Sequence, residues 1–205
     1  MPSSAIDAVI FDIGNVLIRW YPEQLYRKLF ADDAAMRAFY AETGILERNI
    51  EFDRGESFAS GVAELAGRHP QHAASLRAFD ERWEEMLDGH IPQSVELLQA
   101  LRDAKVPNYA ITNFSREKFD VALRKFPFLG AFDDIVVSAD VKLVKPDPEI
   151  FRVLLRRHNL NPARTLFIDD NAHNIATAKS LGLVTHHFGD PAELRRDMAA
   201  MGLPV

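Results

Sequence analysis

The chain has 205 residues, 47% of them hydrophobic, and a formal net charge of −6. That is enough apolar material for one domain with an insertion, or two small domains, and it argues against wholesale disorder. The absence of cysteine excludes a disulfide scaffold, a thiol nucleophile and thiolate metal sites, and the acidic balance gives no reason to expect nucleic-acid binding.

The opening stretch MPSSAIDAVIFD has neither a basic segment nor a long apolar one. No run of about 18 apolar residues occurs anywhere. The expectation is a cytoplasmic chain with no signal peptide and no membrane span. The first apolar run, AVIF at 8–11, stops at Asp12, and Gly14 and Asn15 follow. Its length and β-branched content predict a buried strand. Residues 21–88 hold no clear strand. Helical patterns occur there instead, in PEQLYRKLF, DAAMRAFYAE, ESFASGVAELAG and AASLRAFDERWEEML, punctuated by Gly44, Gly55, Gly67 and Pro70. They predict a helical insertion with Phe30, Phe39, Phe52, Phe58, Phe79 and Trp83 as its core. An aromatic-lined ligand site is the alternative use of the same rings.

From about residue 90 strands and helices alternate. SVELLQALRDAK (94–105) sets Val95, Leu98 and Leu101 on one helical face behind Pro92. YAIT (109–112), DIVVS (134–138) and TLFID (165–169) read as strands, and LVTHHF (183–188) as a weaker one. Between them DPEIFRVLLRRH (147–158) groups Ile150, Phe151, Leu154 and Leu155. Residues 171–181 group Ile175, Ala178 and Leu181, with Gly182 as the expected C-cap. Strands without apolar/polar alternation suit a sheet covered on both faces, and the alternation of elements implies parallel βαβ units. The expected fold is therefore α/β, a doubly wound parallel sheet with a helical insertion after the first strand. The core would comprise residues 1–18 and 89–205, and the insertion residues 19–88. Gly202, Leu203 and Pro204 read as a simple tail.

In open α/β sheets ligands bind beyond the carboxyl ends of the strands. There the chain places Asp12, Thr112 with Asn113, and Asp169 with Asp170, while Lys145 lies in the loop after the third core strand. Each has an ordinary alternative. An aspartate after a strand is commonly a turn or N-cap residue, and Lys-Pro-Asp-Pro can be a rigid helix start. Together they are harder to set aside. Three acids on one edge would raise one another's pKa unless a cation sits among them, and an oxygen-only donor set suits Mg²⁺. His173, His186 and His187 could add ligands but also read as ordinary helix-start and strand-end residues.

Four ordered motifs carry a resemblance. FDIGNVL, ITNFS, VKLVKPDPEIF and FIDDNAHNIATAKSLG resemble the four motifs of the haloacid dehalogenase superfamily of hydrolases. The likeness covers nearly the whole chain, and the insertion is placed and sized like that superfamily's helical cap on a Rossmann-like core. The resemblance implies a phosphatase with Asp12 as nucleophile and an aspartyl-phosphate intermediate. It implies Thr112, Asn113 and Lys145 as phosphate-binding groups, with Thr112 and Lys145 stabilising the transferring phosphoryl group. It implies Mg²⁺ held by Asp12, Asp169, Asp170 and the Gly14 carbonyl, with Asn174 orienting the metal's surroundings. The partner would be a small phosphorylated metabolite, such as a sugar phosphate.

The first motif departs from the common pattern. Most such phosphatases carry Asp-x-Asp, and the second acid protonates the leaving group. Here that position is Gly14, whose freed backbone would let its carbonyl approach a metal. Some members resembling sugar-phosphate phosphatases share the Asp-x-Gly-Asn opening. Glu51, Asp53 and Glu56 in NIEFDRGES are candidate replacement acids, and a solvated capping loop is the other reading of that stretch. Two further functions stay open: a metal-free 2-haloacid dehalogenase, and a non-catalytic binding protein that keeps the fold. The pair Asp169–Asp170 weighs against the first, and the retained motif residues weigh against the second.

Overall fold

The structure, a computed structural model, describes residues 6–205. Residues 1–5, part of the expected core segment and of the stretch read for a signal peptide, lie outside the described residues. Seven strands are formed: β1 Ala8–Phe11, β2 Ile18–Trp20, β3 Leu87–His90, β4 Asn108–Thr112, β5 Asp134–Val137, β6 Thr165–Asp169 and β7 Val184–His187. Five helices precede β3: α1 Glu23–Tyr26, α2 Asp33–Thr43, α3 Ile45–Asp53, α4 Phe58–Arg68 and α5 Ala73–Glu81. Six follow it: α6 Pro92–Asp103, α7 Arg116–Lys125, α8 Ser138–Val141, α9 Pro148–Arg157, α10 Ala172–Ser180 and α11 Pro191–Ala200. None of the described helices is long and apolar enough to cross a membrane.

The core is a five-stranded sheet in the order β5-β4-β1-β6-β7, and every pairing in it is parallel. β1 lies at its centre, with Phe11 level with Ala110 on one side and Ile168 on the other. All four β1 side chains are buried, which is why AVIF shows no alternation. Successive residues still point to opposite faces. Val9 and Phe11 pack toward Leu97, Leu101 and Met198, whereas Ala8 and Ile10 pack toward Ile150, Phe151 and Leu154. Helices therefore cover both faces, and the sheet is doubly wound. The chain runs outward from β1 through β4 to β5, then crosses back to β6 and β7. The topological switch point falls at the carboxyl ends of β4, β1 and β6.

Three expectations are corrected. Residues 21–88 were expected to hold no strand, yet Leu87 and Asp88 begin β3, which pairs antiparallel with β2. The run LDGH has low strand propensity, and Gly89 has a left-handed φ of 77°, so only pairing across the neck of the insertion makes it extended. Residues 45–53 form helix α3, where NIEFDRGES also read as a loop. Gly44, at φ 63°, both ends α2 and begins α3, so no Ser, Thr, Asp or Asn marks the start. The terminal tail is docked: Leu203 is buried in the core and its N–H donates to the Met198 carbonyl.

The aromatic core of the insertion forms largely as expected. Phe39, Phe52, Phe58, Phe79 and Trp83 are buried, and Phe30 is half-buried. Phe52 and Phe58 stack with ring centroids 4.3 Å apart, while Tyr26 packs on Phe39 at 5.0 Å. Gly61 of α4 makes the first of these contacts fit, because a Cβ there would lie 2.3 Å from Phe52 Cε1. Alanine is favoured over glycine inside a helix by ~1 kcal/mol, but overpacking a filled core costs about 1–3 kcal/mol. Gly61→Ala is therefore expected to lower the melting temperature. A higher melting temperature would mean that the Phe52 ring moves aside freely.

Candidate active site

The sheet delivers the site. β1 hands off to Asp12, whose backbone N–H donates to the Ile168 carbonyl at 2.8 Å, so the strand pairing continues to the reactive residue. β4 ends in Thr112 and β6 in Asp169, both buried. Lys145 reaches the same point from the loop after α8, and it too is buried. Its Nζ lies 2.7 Å from Asp169 Oδ2 and 2.9 Å from Asp12 Oδ1, bridging two carboxylates from neighbouring strands. The Asn113 side chain holds this lysine from behind. Its Oδ1 accepts from the Lys145 N–H at 2.7 Å, and its Nδ2 donates to the Lys145 carbonyl at 3.0 Å.

Asp169 is saturated. Besides Lys145, it accepts from the Asn171 N–H at 2.8 Å and from Asn174 Nδ2 at 3.0 Å on each oxygen. Asn174, expected to orient a metal's surroundings, thus anchors this carboxylate directly. Asp170 is placed differently: it lines a cavity together with Asp12 and Gly14, a cavity that Asp169 does not line. The Asp170 carbonyl is bonded to His187 Nε2 at 2.9 Å, and His186 Nδ1 meets Asp197 at 2.8 Å. Neither histidine, nor the exposed His173, joins the acidic cluster.

Donor oxygens of Asp12, Asp169 and Asp170 all lie within 4.8 Å of one another. Burial pushes the Asp12 carboxyl up to about 7; Lys145 opposes that shift, and Asp169 and Asp170 add to it. Asp170 is raised as well, first by burial and then by Asp169, against a hydrogen bond from Asn15. For Lys145 burial works against the charge, yet Asp12 and Asp169 carry the balance upward, so the ammonium is retained. Three acids face one cation, and the hard oxygen donors left over fit a divalent ion such as Mg²⁺.

Gly14 lines the cavity without a left-handed backbone. The left-handed residue is its neighbour Asn15, at φ 54°, whose Oδ1 accepts from the Trp20 N–H at 3.1 Å. A Cβ built on Gly14 meets nothing within 4 Å. The second acid is therefore absent by sequence and not through crowding.

The cavity measures about 310 Å³. From the core it is lined by Asp12, Thr112, Asn113, Lys145 and Asp170. From the insertion come Asn49, Asp53, Phe58 and Trp83. Of the three candidate replacement acids only Asp53 is there. Glu51 is paired with Arg54 at 2.6 Å, and Glu56 with Arg48 at 2.6 Å. Asn49, Lys118, Trp20 and the cavity-facing role of Trp83 escaped the sequence reading. Asn49 and Asp53 stand four residues apart on α3, so recognising that helix would have placed both on one face.

A model of haloacid dehalogenase-like hydrolases matches residues 6–182. The chain belongs to this family. Relatives of the chain include the D-ribitol-5-phosphate phosphatase of Bacteroides thetaiotaomicron, 25% identical over 96% of this chain and 98% of that protein. The sesquiterpene phosphatase astK of Aspergillus oryzae is 27% identical over 89% of this chain and 90% of its own length. Against drimenol cyclase drtB of Aspergillus calidoustus, at 27% identity, the chain spans only 38% of that longer protein. Among solved structures, a haloacid dehalogenase family enzyme of B. thetaiotaomicron in complex with magnesium and inorganic phosphate superposes with a TM-score of 0.72. Identity is 23%, over 92% of this chain and 98% of that one. The L-2-haloacid dehalogenase of Xanthobacter autotrophicus shares the fold at a TM-score of 0.63 and 16% identity, over 95% of this chain and 83% of its own.

Two stability predictions follow from the hydrolase's site. Lys145→Met leaves Asp12 and Asp169 facing each other in the core, and breaking a buried ion pair costs about 3–5 kcal/mol. Denaturant unfolding in chelator should report that loss, and an unchanged midpoint would show that the lysine is not what neutralises the pair. The second contrasts adjacent residues. Gly14→Ala should stabilise by ~0.4–1 kcal/mol because the backbone there is ordinary and the space open. Asn15→Ala should destabilise by about 1–2 kcal/mol, losing left-handed tolerance and the bond to Trp20. Melting curves of the two variants should move in opposite directions.

Proposed function

We propose that this hydrolase is a Mg²⁺-dependent phosphatase that cleaves a small phosphate monoester through an aspartyl-phosphate on Asp12. The observation that carries this reading is that Asp12 and Asp170, with oxygens within 4.8 Å of each other, line one cavity with Lys145 held against Asp12. Asp12 is the nucleophile. Covalent catalysis divides one difficult displacement into two easier ones. Lys145 and the Thr112 hydroxyl bind the phosphoryl oxygens, where fixed positive charge and donors lower the barrier most. The Asn113 side chain is committed to Lys145, so its backbone is what remains for the phosphate.

Asp12, Asp170 and the Gly14 carbonyl would hold the Mg²⁺. Asp169, first expected as a ligand, is better read as the residue that positions Lys145, since both its oxygens are already engaged. The ion supplies charge neutralisation that lets an anionic nucleophile approach an anionic ester. Without such a cation Asp170 would repel a substrate carboxylate, which weighs against a metal-free dehalogenase. The built site weighs against a mere binding protein.

Residues 19–88 would act as a cap that closes over the substrate. The cavity is at the small end of ligand sites. Its amide, carboxyl and aromatic lining from Asn49, Asp53, Phe58 and Trp83 suits a compact phosphorylated metabolite such as a sugar phosphate. The relatives whose names specify phosphorylated substrates support the same class. A cytoplasmic setting belongs to this reading.

With 4-nitrophenyl phosphate, turnover should appear with Mg²⁺ and vanish in excess chelator. Asp12→Asn should fall to background with the fold intact, and a labelled phosphoenzyme trapped from the wild type should be missing in that variant. Full activity in chelator toward a chloroacid would overturn the phosphatase reading.

A further inference from the structure

Position 14 supplies no acid, and a phosphatase of alkyl esters still has to protonate a poor leaving group. The structure offers one carboxyl for that work. Asp53 is the last residue of α3, is 9% exposed, and lines the same cavity as the core residues Asp12 and Lys145. It is held from several sides. Asn49 Nδ2 donates to Asp53 Oδ2 at 3.1 Å, and the backbone N–H of Ser115 also bonds its carboxyl. The Asp53 carbonyl accepts from Ser138 Oγ at 2.6 Å, and that same hydroxyl accepts from the Phe114 N–H at 2.9 Å. The insertion is thereby pinned, at Asp53 itself, to the loop that follows Thr112.

We propose that Asp53 is the general acid–base of this hydrolase, supplied by the insertion in place of the acid missing at position 14. The assignment rests on the phosphatase reading. In the first step an Asp12 oxygen forms a bond to phosphorus as the bond to the ester oxygen breaks. The Asp53 proton passes to that oxygen and the alcohol leaves. In the second step the Asp53 carboxylate takes a proton from water as the water oxygen bonds to phosphorus. The bond from Asp12 to phosphorus breaks, inorganic phosphate departs, and both carboxyls return to their starting forms. An in-line displacement puts the leaving oxygen on the side away from Asp12, and on this proposal the insertion residues that share the cavity meet it there.

The carboxyl's surroundings suit a proton donor. Burial raises it to about 7, and the Ser115 N–H, Lys145 and Asn49 only partly oppose this. Lys145, Asp12 and Asp170 share the cavity from the strand ends, and Lys118 shares it from α7, where it is paired with Asp80. On α8, which packs on α3, Asp140 is paired with Arg116 and Lys142 Nζ lies 3.5 Å from the Gly55 carbonyl. Lys145 is the one cation among these that acts on Asp53. A bound phosphate dianion adds negative charge and pushes the carboxyl further up, so the acid form is present at neutral pH.

The test compares 4-nitrophenyl, phenyl and glycerol phosphates on wild type, Asp53→Asn and Asp53→Glu. The asparagine keeps the shape and an acceptor but has no proton to give. General acid catalysis is worth roughly 10²–10⁴-fold, so glycerol phosphate turnover by Asp53→Asn should fall by that order. The first-turnover burst of 4-nitrophenol, whose leaving group needs little help, should fall far less, whereas steady-state turnover of every ester shares the slowed second step. Asp53→Glu should recover part of the loss. In the wild type, glycerol phosphate turnover should decline as pH rises through about 7 or above, because the proton is lost there. That limb should be missing with 4-nitrophenyl phosphate and in Asp53→Asn. Equal losses of first-turnover alcohol release on all three esters, or a wild-type dependence of that release on leaving group as steep as the variant's, would overturn the assignment and leave Asp53 as a mere latch. Should Asp53→Asn not fold, the wild-type pH profiles decide alone, and identical profiles on both esters overturn the proposal. If the wild type cleaves none of the esters with Mg²⁺, the phosphatase reading falls first and takes this assignment with it.

Discussion

The ion bridge from Lys145 to Asp12 and Asp169 sets the geometry of everything around it. Two carboxylates at the ends of adjacent parallel strands stand about one strand spacing apart, and in a buried setting they cannot both ionise without a cation. The lysine meets that demand only if its own backbone is fixed. Asn113 fixes it with two hydrogen bonds, one to each side of the residue. Asn174 and the Asn171 N–H do the same for Asp169. The asparagines next to the reactive groups thus do structural work at short range, and the groups open to the cavity are those that the network leaves free.

The core was legible because burial on both faces writes itself into composition. AVIF, YAIT and TLFID are strands that no surface residue interrupts, and the helices between them carry clear apolar stripes. The four motifs lie at strand ends, so finding the strands located Asp12, Thr112 and the acidic pair. What stayed hidden depended on contacts between distant segments. β3 is extended only because β2 pairs with it. Helix α3 begins at a glycine that also ends α2, which erases the usual start signal. Missing that helix hid the shared face of Asn49 and Asp53 and left Glu51 looking equivalent to Asp53, although Arg54 holds Glu51 away from the cavity. The division of labour between Asp169 and Asp170 could not be read from two identical adjacent letters. It arises from which of them the strand turns inward.

The insertion is seated on the core through a shared apolar cluster and several dissimilar contacts. Trp83 packs on Phe114 with ring centroids 5.6 Å apart, Lys118 pairs with Asp80, and Ser138 takes the Asp53 carbonyl. All three land on elements that follow β4 or β5. The cavity walls therefore inherit their spacing from the same strand ends that hold the reactive groups. β2 and β3 tie the two crossing points of the chain together and leave the insertion a single narrow neck.

The empty space beside Gly14 has an evolutionary meaning. Two of the four glycine codons become aspartate codons by a single nucleotide change, and a Cβ at this position would meet no atom within 4 Å. A Cβ there needs no compensating change in packing. Packing therefore places no bar against a side chain at position 14, and what that position carries is open to selection by the substrate.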